Sequence, residues 1–203
     1  MIIYLLITLV AYLLGSISFS VIFGKKFAGV DVREKGSKNA GSTNVLRVAG
    51  KKAAACALIC DILKGVVAVL VAFIAAKIAG DMVSGALLVQ FAAIAVILGH
   101  MFPIFFKFKG GKGVATSLGV IMAINPKIGA ICLVFGILII IVTRIVSLAS
   151  VTVASLYAIA VLFLMSDYFI FSLIIVAILL FKHRSNIQRL IKGTENKIGQ
   201  KVK

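Results

Sequence analysis

Seven apolar segments, separated by short polar joints, restrict this sequence to folds that a lipid bilayer permits. A spanning helix needs about 20 mainly apolar residues, and backbone polar groups inside a bilayer must be paired within the protein. The chain is 62% hydrophobic, with a mean hydropathy of +1.19, which excludes a soluble domain. The sequence predicts an all-α polytopic membrane protein, with one domain over residues 1–203. The predicted transmembrane segments are 2–23, 53–76, 84–106, 114–125, 128–143, 146–165 and 168–182.

The fourth and fifth segments are short, and Asn125-Pro126 is the only sharp break between them. Two arrangements stay open there: two separate spans, or a tight helical hairpin or broken helix. The start of the chain has no basic region and no small-residue cleavage site, so we expect a first spanning helix and not a signal peptide. The three cysteines all lie in apolar segments and indicate no disulfide framework.

The charges predict the orientation of the chain. All but three of the 22 Lys and Arg residues fall in four places, which are loop 24–52, joint 107–113, Arg144 and the tail from residue 182. The opposite joints are short and nearly neutral. By the positive-inside rule the basic side is cytoplasmic, so the N-terminus is outside, the C-terminus is inside and the number of spans is odd. Orientation and anionic headgroups account for the net charge of +16, and no nucleic-acid partner is predicted.

The first polar motif lies in the 24–52 loop. Glycine-rich backbone can form a nest for an oxyanion, and hydroxyls with a guanidinium would complete a phosphate-sized pocket. The spacing of Gly36 and Gly41 approaches a nucleotide P-loop, but Ser42 stands where the lysine belongs and no strand precedes the loop. The alternative is a flexible polar joint between helices. The candidate residues are Ser37, Asn39, Gly41, Ser42, Thr43, Asn44 and Arg47.

The second motif covers residues 99–113. Glycines on both sides of Lys112, including Gly110 and Gly111, allow the backbone to approach an anion, with the ammonium group as a point charge. His100, near the end of an apolar helix, is either a substrate contact or a hydrogen-bonded core histidine. We expect Lys107 and Lys109 to be headgroup anchors.

Two further polar clusters follow. Ser147 and Ser150 are one turn apart behind Arg144 and would share a helix face, although serines in membrane helices often bond only to the backbone. His183 and Asn186 share a face at the membrane edge, where polar residues often mark only the boundary. The tail then contains Glu195 in the run Gly193-Thr194-Glu195-Asn196.

Several catalytic and metal-binding motifs are missing from the sequence, which limits the reactions that it can catalyse. None of the six acidic residues forms a DxxD or DxxxD pair able to hold Mg²⁺. There is no HxxxxD pair, and no Cys or Ser stands beside a His in a nucleophile elbow. The sequence therefore predicts a cationic, hydroxyl-rich phosphate site with no metal, no cofactor and no covalent nucleophile.

Three stretches resemble the cytoplasmic motifs of the bacterial acyl-phosphate–glycerol-3-phosphate acyltransferases, the PlsY family: GSKNAGSTN, GHMFPIFFKFKGGKGVAT and HRSNIQRLIKGTEN. The resemblance covers nearly the whole chain in motif order. It implies seven spans in the bacterial cytoplasmic membrane, with the active site facing the cytoplasm. It also implies acyl transfer from acyl phosphate to the 1-hydroxyl of glycerol 3-phosphate, the first step of phospholipid synthesis. A soluble acyl-phosphate-producing enzyme would supply the donor.

The resemblance also implies roles for individual residues. Ser37, Arg47 and Lys112 would hold the phosphate of glycerol 3-phosphate. The 39–44 stretch, aided by Ser147 or Arg144, would hold the acyl phosphate and the charge on its carbonyl oxygen. His183 and Asn186 would position the acceptor hydroxyl, and its proton would pass to His183 or to a substrate phosphate oxygen. The expected catalytic residues are His183, Asn186, Lys112 and Ser147. The expected substrate-binding residues are those of the first motif together with His100, Gly110, Gly111, Arg144, Ser150 and Glu195.

A second class of function remains open from sequence, a membrane carrier or binding protein for an anionic metabolite or lipid. Such a protein could use the same basic loops to attract its ligand. Every polar motif lies at one face, however, whereas carriers usually place polar residues near the bilayer midplane. Asp61 and Lys64 are the exception within the helices, and their spacing of three predicts a local pair.

Overall fold

The computed structural model describes residues 1–200, and those residues form helices and no strands, which confirms the all-α prediction. Lys201 and Lys203 of the predicted basic tail lie outside the described residues. Short 3-10 turns occupy Gly80–Met82, Ile104–Phe106 and Ser166–Tyr168. The helices are α1 (Ile2–Gly15), α2 (Phe19–Ala28), α3 (Ser42–Ala79), α4 (Gly85–Met101), α5 (Val114–Ile124), α6 (Pro126–Thr143), α7 (Val146–Leu164), α8 (Phe169–Lys182) and α9 (Arg184–Ile191).

Helix length and composition support fewer spans than the sequence predicts. Among the described residues, five stretches are long and apolar enough to cross a membrane, and the α8–α9 pair, bent by 66°, is a sixth candidate. Helix α5 has 11 residues and rises about 16 Å, roughly half of a bilayer core. The count of seven therefore stays a prediction. The five stretches are Ile2–Ala28, Ser42–Met82, Gly85–Phe106, Pro126–Thr143 and Val146–Leu164.

The predicted polar loop 24–52 is shorter in the structure. Helix α2 continues to Ala28, where Gly29 ends it with a φ of 63°, a left-handed conformation that glycine adopts at little cost. Helix α3 begins at Ser42 and is broken at Gly50, which has a φ of 85° and a ψ of 178°. Residues 29–41 form the loop, and the second half of the first motif is helical.

The chain divides into two compact units, the first up to Ile124 and the second from Asn125 onward. In the first unit, glycines bring helix backbones into direct contact. A Cβ added at Gly15 or Gly99 would overlap backbone atoms across the α1–α4 contact, and one added at Gly65 or Gly119 would overlap backbone atoms across the α3–α5 contact. Close backbone approach through small residues is a common way for helices to associate in membranes.

A buried ion pair joins the elements of the first unit. Lys64 Nζ lies 2.8 Å from Asp61 Oδ1, which confirms the predicted local pair. The ammonium group also donates to the carbonyls of Gly15 and Ile17, at 2.9 Å each, where the end of α1 leaves carbonyls without helical partners. His100 Nδ1 lies 3.4 Å from the same carboxylate oxygen. One charged pair thus connects α1, α3 and α4.

In the second unit, α7 packs against both α6 and α8. The Asn125 side chain caps α6 by accepting from the N–H of Ile128 at 3.1 Å, and Pro126 occupies the first turn, where its missing N–H is not needed. The predicted break at Asn125-Pro126 is therefore confirmed as a helix start. Helix α6 ends at Thr143, and the next residue, Arg144, has a φ of 60°.

Candidate functional site

The N-terminus of α3 has the properties of an anion site. Gly41 precedes the helix in an extended conformation, no side chain among residues 1–200 caps this end, and the first turn contains no acidic residue. The first N–H groups of a helix point outward and carry partial positive charge. Arg47 is four residues after Thr43 and so lies on the same face. Its Nε is buried and has no hydrogen-bond partner within the described chain. Ser42, Thr43 and Arg47 can therefore bind an oxyanion together.

Asn44 holds the loop before this helix end. Its side chain is buried, its Oδ1 accepts from the N–H of Ser37 at 2.9 Å, and its Nδ2 donates to the carbonyls of Val32 and Lys35 at 2.7 and 3.0 Å. Both amide hydrogens are thus used within the protein. The structure thus gives Asn44 a role in positioning the loop, and its substrate contact stays a prediction. Ser37 itself is exposed, and the Asn39 amide lies beside Gly41, where a Cβ would be 2.8 Å away.

The second motif lies against the first. Gly111 donates its N–H to the carbonyl of His100 at 3.1 Å. A Cβ on Gly111 would lie 2.5 Å from the Ala40 carbonyl oxygen and would overlap the His100 ring, and a Cβ on Gly110 would overlap the His100 carbonyl. Only glycine fits at these positions. Lys112 follows these glycines and is half-buried. It therefore lies in a loop that contacts the first motif, and the buried His100 supports that loop.

Glu195 organises the polar groups of the second unit. Its Oε1 accepts from Ser147 Oγ at 3.0 Å and from Asn186 Nδ2 at 2.7 Å, and its Oε2 accepts from Arg189 Nε at 2.7 Å. Burial alone would raise the pKa of Glu195, but these bonds from Asn186, Arg189 and Ser147 together hold the pKa below its usual value. Glu195 thus positions two predicted catalytic residues. Arg189 was missed from sequence, although Glu195 is the only acidic residue after residue 182 and so needed a partner.

The surroundings of His183 determine which of its two ring nitrogens carries the hydrogen. His183 is buried and lies at the junction of α8 and α9. Its Nδ1 is 2.8 Å from the carbonyl oxygen of Leu179. Because a carbonyl only accepts, Nδ1 carries the hydrogen, and the lone pair of the neutral imidazole is on Nε2. This is the form that a general base acting through Nε2 requires.

Ser150 and Arg144 do not join the Glu195 cluster. The Ser150 hydroxyl donates to the carbonyl of Val146 at 2.9 Å, which is the backbone-bonded alternative that the sequence left open. Arg144 is exposed, and its carbonyl accepts from the N–H of Ile198 at 2.8 Å. Arg144 therefore ties the tail to the end of α6 through its backbone.

Comparison with known proteins identifies the family. Residues 5–193 match the family model described as glycerol-3-phosphate acyltransferase. This chain belongs to the glycerol-3-phosphate acyltransferase family. It is 46% identical over 199 residues to the glycerol-3-phosphate acyltransferase of Thermoanaerobacter sp. (strain X514), covering 97% of this chain and 96% of that one. It is 47% identical over 199 residues to that of Clostridioides difficile (strain 630), covering 98% and 97%.

A solved structure confirms both the fold and the resemblance to the PlsY family. The chain matches the crystal structure of PlsY (YgiH), an integral membrane glycerol 3-phosphate acyltransferase, in its glycerol 3-phosphate form, with a TM-score of 0.86 and 38% identity. The match covers 97% of this chain and 96% of that one. The protein is thus an integral membrane acyltransferase of this family, and its activity belongs to phospholipid synthesis.

Proposed function

We propose that this chain moves a fatty acyl group from an acyl phosphate to the sn-1 hydroxyl of glycerol 3-phosphate, giving lysophosphatidic acid and inorganic phosphate. The observation that carries the proposal is the buried Arg47 Nε without a partner in the described residues, beside the uncapped start of α3. Both substrates contain phosphate, and the second glycine-rich loop with Lys112 contacts the first motif. An acyl phosphate already contains a good leaving group, so the enzyme needs no covalent nucleophile.

In the proposed reaction, the 1-hydroxyl oxygen attacks the carbonyl carbon of the acyl phosphate and forms the new ester bond. The C–O bond to phosphate breaks, and the leaving phosphate takes the electron pair. The hydroxyl proton goes to His183 Nε2 or to a phosphate oxygen. Arg47 and Lys112 hold phosphate and offset its charge. Asn186 and Ser147, which Glu195 fixes, orient the acceptor and the carbonyl oxygen.

The donor and the metal requirement are tested together. Purified protein is given palmitoyl phosphate, glycerol 3-phosphate and a chelator, and lysophosphatidic acid is measured by mass, with palmitoyl-CoA as a parallel donor. We expect product from palmitoyl phosphate alone. Product only from the thioester would overturn the proposed donor, and product that appears only after Mg²⁺ is added would overturn metal independence. No product from folded protein would favour the carrier alternative.

The phosphate role of Arg47 is tested by Arg47→Ala, with Lys51→Ala as the matched control because Lys51 is exposed in the same helix. Loss of one charge-stabilising donor typically lowers the rate about 10²- to 10³-fold. We expect that loss in kcat/KM for Arg47→Ala and for Lys112→Ala, and activity near that of the wild type for Lys51→Ala. Activity within severalfold of wild type in both Arg47→Ala and Lys112→Ala would refute the assignment.

The proton acceptor is tested by a pH profile. If His183 is the base, kcat/KM falls as the pH drops through the histidine pKa, and His183→Gln loses both the rate and that acidic limb. If a substrate phosphate accepts the proton, His183→Gln retains the shape of the profile.

For topology we propose seven spans in the bacterial cytoplasmic membrane, with the N-terminus outside and the motif loops and C-terminus in the cytoplasm. The distribution of basic residues supports this orientation, and α5 would then be a short span. In a cysteine-free background, Lys192→Cys should react with an impermeant thiol reagent only in inside-out vesicles. Asp81→Cys should react only in right-side-out vesicles. Reaction of both from the same side would refute an odd number of spans between residues 81 and 192.

We also propose that a soluble acyl-phosphate-producing enzyme supplies the donor, because a mixed anhydride hydrolyses in water and a short path to the membrane protects it. Adding such an enzyme with its own substrates should support lysophosphatidic acid formation without added acyl phosphate. Failure of that reconstitution, with palmitoyl phosphate active alone, would refute only the supply route.

A further inference from the structure

A second basic pocket lies in the first unit and shares no residue with the predicted catalytic and substrate-binding sets. Its volume is about 410 Å³, which is within the range of small-ligand sites. Its lining contains four cationic side chains, one carboxylate and two phenylalanines. The lining residues are Lys25, Arg33, Glu34, Phe105, Phe106, Lys107 and Lys109.

One wall of this pocket is fixed by Arg33. The guanidinium donates to Asp31 from Nε at 2.9 Å and from Nη2 at 2.7 Å, and Nη1 donates to the Phe106 carbonyl at 2.8 Å. Arg33 lowers the pKa of Asp31 to about 2, so Asp31 is ionised and offsets the Arg33 charge. Lys25 Nζ also lies 4.0 Å from Asp31 Oδ2, and Glu34 adds a second negative charge, so Lys107 and Lys109 supply the excess positive charge of the pocket.

The loop that presents two of these lysines is preformed and strained. Lys107 and Phe108 have φ values of 56° and 57°, and two consecutive non-glycine residues in the left-handed region are unfavourable. The chain is held there by bonds from the Phe108 N–H to Pro103 at 2.9 Å and from the Lys109 N–H to Phe106 at 3.2 Å. Strain that the surroundings maintain is typical of binding loops.

The same loop exposes apolar side chains between its lysines. Phe105 is 62% exposed and Phe108 is 58% exposed, in a segment that follows the apolar helix α4. At a membrane interface aromatic rings enter the headgroup region while lysines reach phosphate. We propose that this pocket binds the headgroup phosphate of an anionic diacyl phospholipid, with Phe105 and Phe108 contacting the lipid chains.

Binding is measured on the full chain in neutral detergent with fluorescent phosphatidylglycerol, and with fluorescent phosphatidylcholine as the neutral probe. Each lysine near a membrane surface strengthens the binding of an anionic lipid. The loss of both Lys107 and Lys109 should therefore weaken phosphatidylglycerol binding about thirtyfold. We expect that loss in K107Q/K109Q. The control K51Q/K52Q removes the same charge from exposed positions of the first unit and should retain wild-type affinity. An equal loss in both double variants would show that only overall charge matters and would overturn the site.

One further variant and one competition experiment test the same site. Lys107→Gly removes one cation, while glycine accepts the left-handed φ, so it should weaken phosphatidylglycerol binding severalfold with an unchanged or higher melting temperature. Wild-type affinity in that variant would refute the proposal. Excess inorganic phosphate or glycerol 3-phosphate should leave phosphatidylglycerol bound. Full displacement by either anion at millimolar concentration would show a simple phosphate site or the substrate site instead.

Discussion

Replacing Lys64 by methionine should destabilise the first unit strongly while nearly preserving side-chain volume. In the wild type the ammonium group pairs with Asp61 at 2.8 Å and donates to the carbonyls of Gly15 and Ile17 at 2.9 Å each. Methionine keeps an apolar chain of similar length in helix α3. The substitution therefore removes the charge and three donor interactions with little change in packing.

The size of the effect follows from burial. Lys64 is 3% exposed and Asp61 is 1% exposed, so the variant leaves a carboxylate inside the protein without its cation. Removing one partner of a buried pair lowers the free energy of unfolding by about 3–5 kcal/mol. The two carbonyls that lose a donor belong to the same network, so the free energy lost there is largely included in that range. At about 2–4 °C per kcal/mol for a chain of this length, the melting temperature should fall by roughly 10 °C.

The assay is thermal unfolding in a neutral detergent, with a double-mutant cycle. Asp61→Leu combined with Lys64→Met removes both charges, and such replacements are often neutral or stabilising. We therefore expect the double variant to recover at least half of the loss seen in Lys64→Met. A melting temperature within 2 °C of the wild type for Lys64→Met, or strictly additive losses in the double variant, would contradict the buried-pair argument.

Two further predictions concern the loops. Gly111→Ala should abolish acyl transfer, because its Cβ would lie 2.5 Å from the Ala40 carbonyl oxygen. The control is Gly136→Ala, whose Cβ would lie 3.8 Å from its nearest neighbour; it should keep the wild-type activity, and its free energy of unfolding should change by no more than about 1 kcal/mol. Equal activity of both variants would contradict the close packing of the loops. The ionised form of Asp31, whose pKa is about 2 instead of 3.8, should stabilise the fold fully above about pH 4 and lose that contribution as the pH falls towards 2. Asp31→Asn should therefore melt lower than the wild type at pH 7, and the difference should shrink steadily as the pH falls towards 2; a difference as large at pH 2 as at pH 7 would rule out this linkage.

Residue type and local spacing were enough to select three of the polar groups that the structure brings together in the second unit. Ser147, Asn186 and Glu195 were each chosen from their own short motif, and the structure joins them through hydrogen bonds. The bonds themselves were not predictable, because Ser147 and Glu195 are 48 residues apart. Asn44 and Ser150 show the reverse, since their residue types suggested ligand contacts and the structure uses their donors for backbone carbonyls.

The sequence by itself determined the membrane class, the helical fold and the places where polar loops interrupt apolar helices, since these depend on composition and on residues close in the chain. Only the tertiary structure decided what those residues touch. It placed Lys64 on carbonyls at and just after the end of α1, brought Gly111 against Ala40 and joined Arg33 to Phe106. Such contacts depend on how helices far apart in sequence pack, and no local pattern encodes that packing.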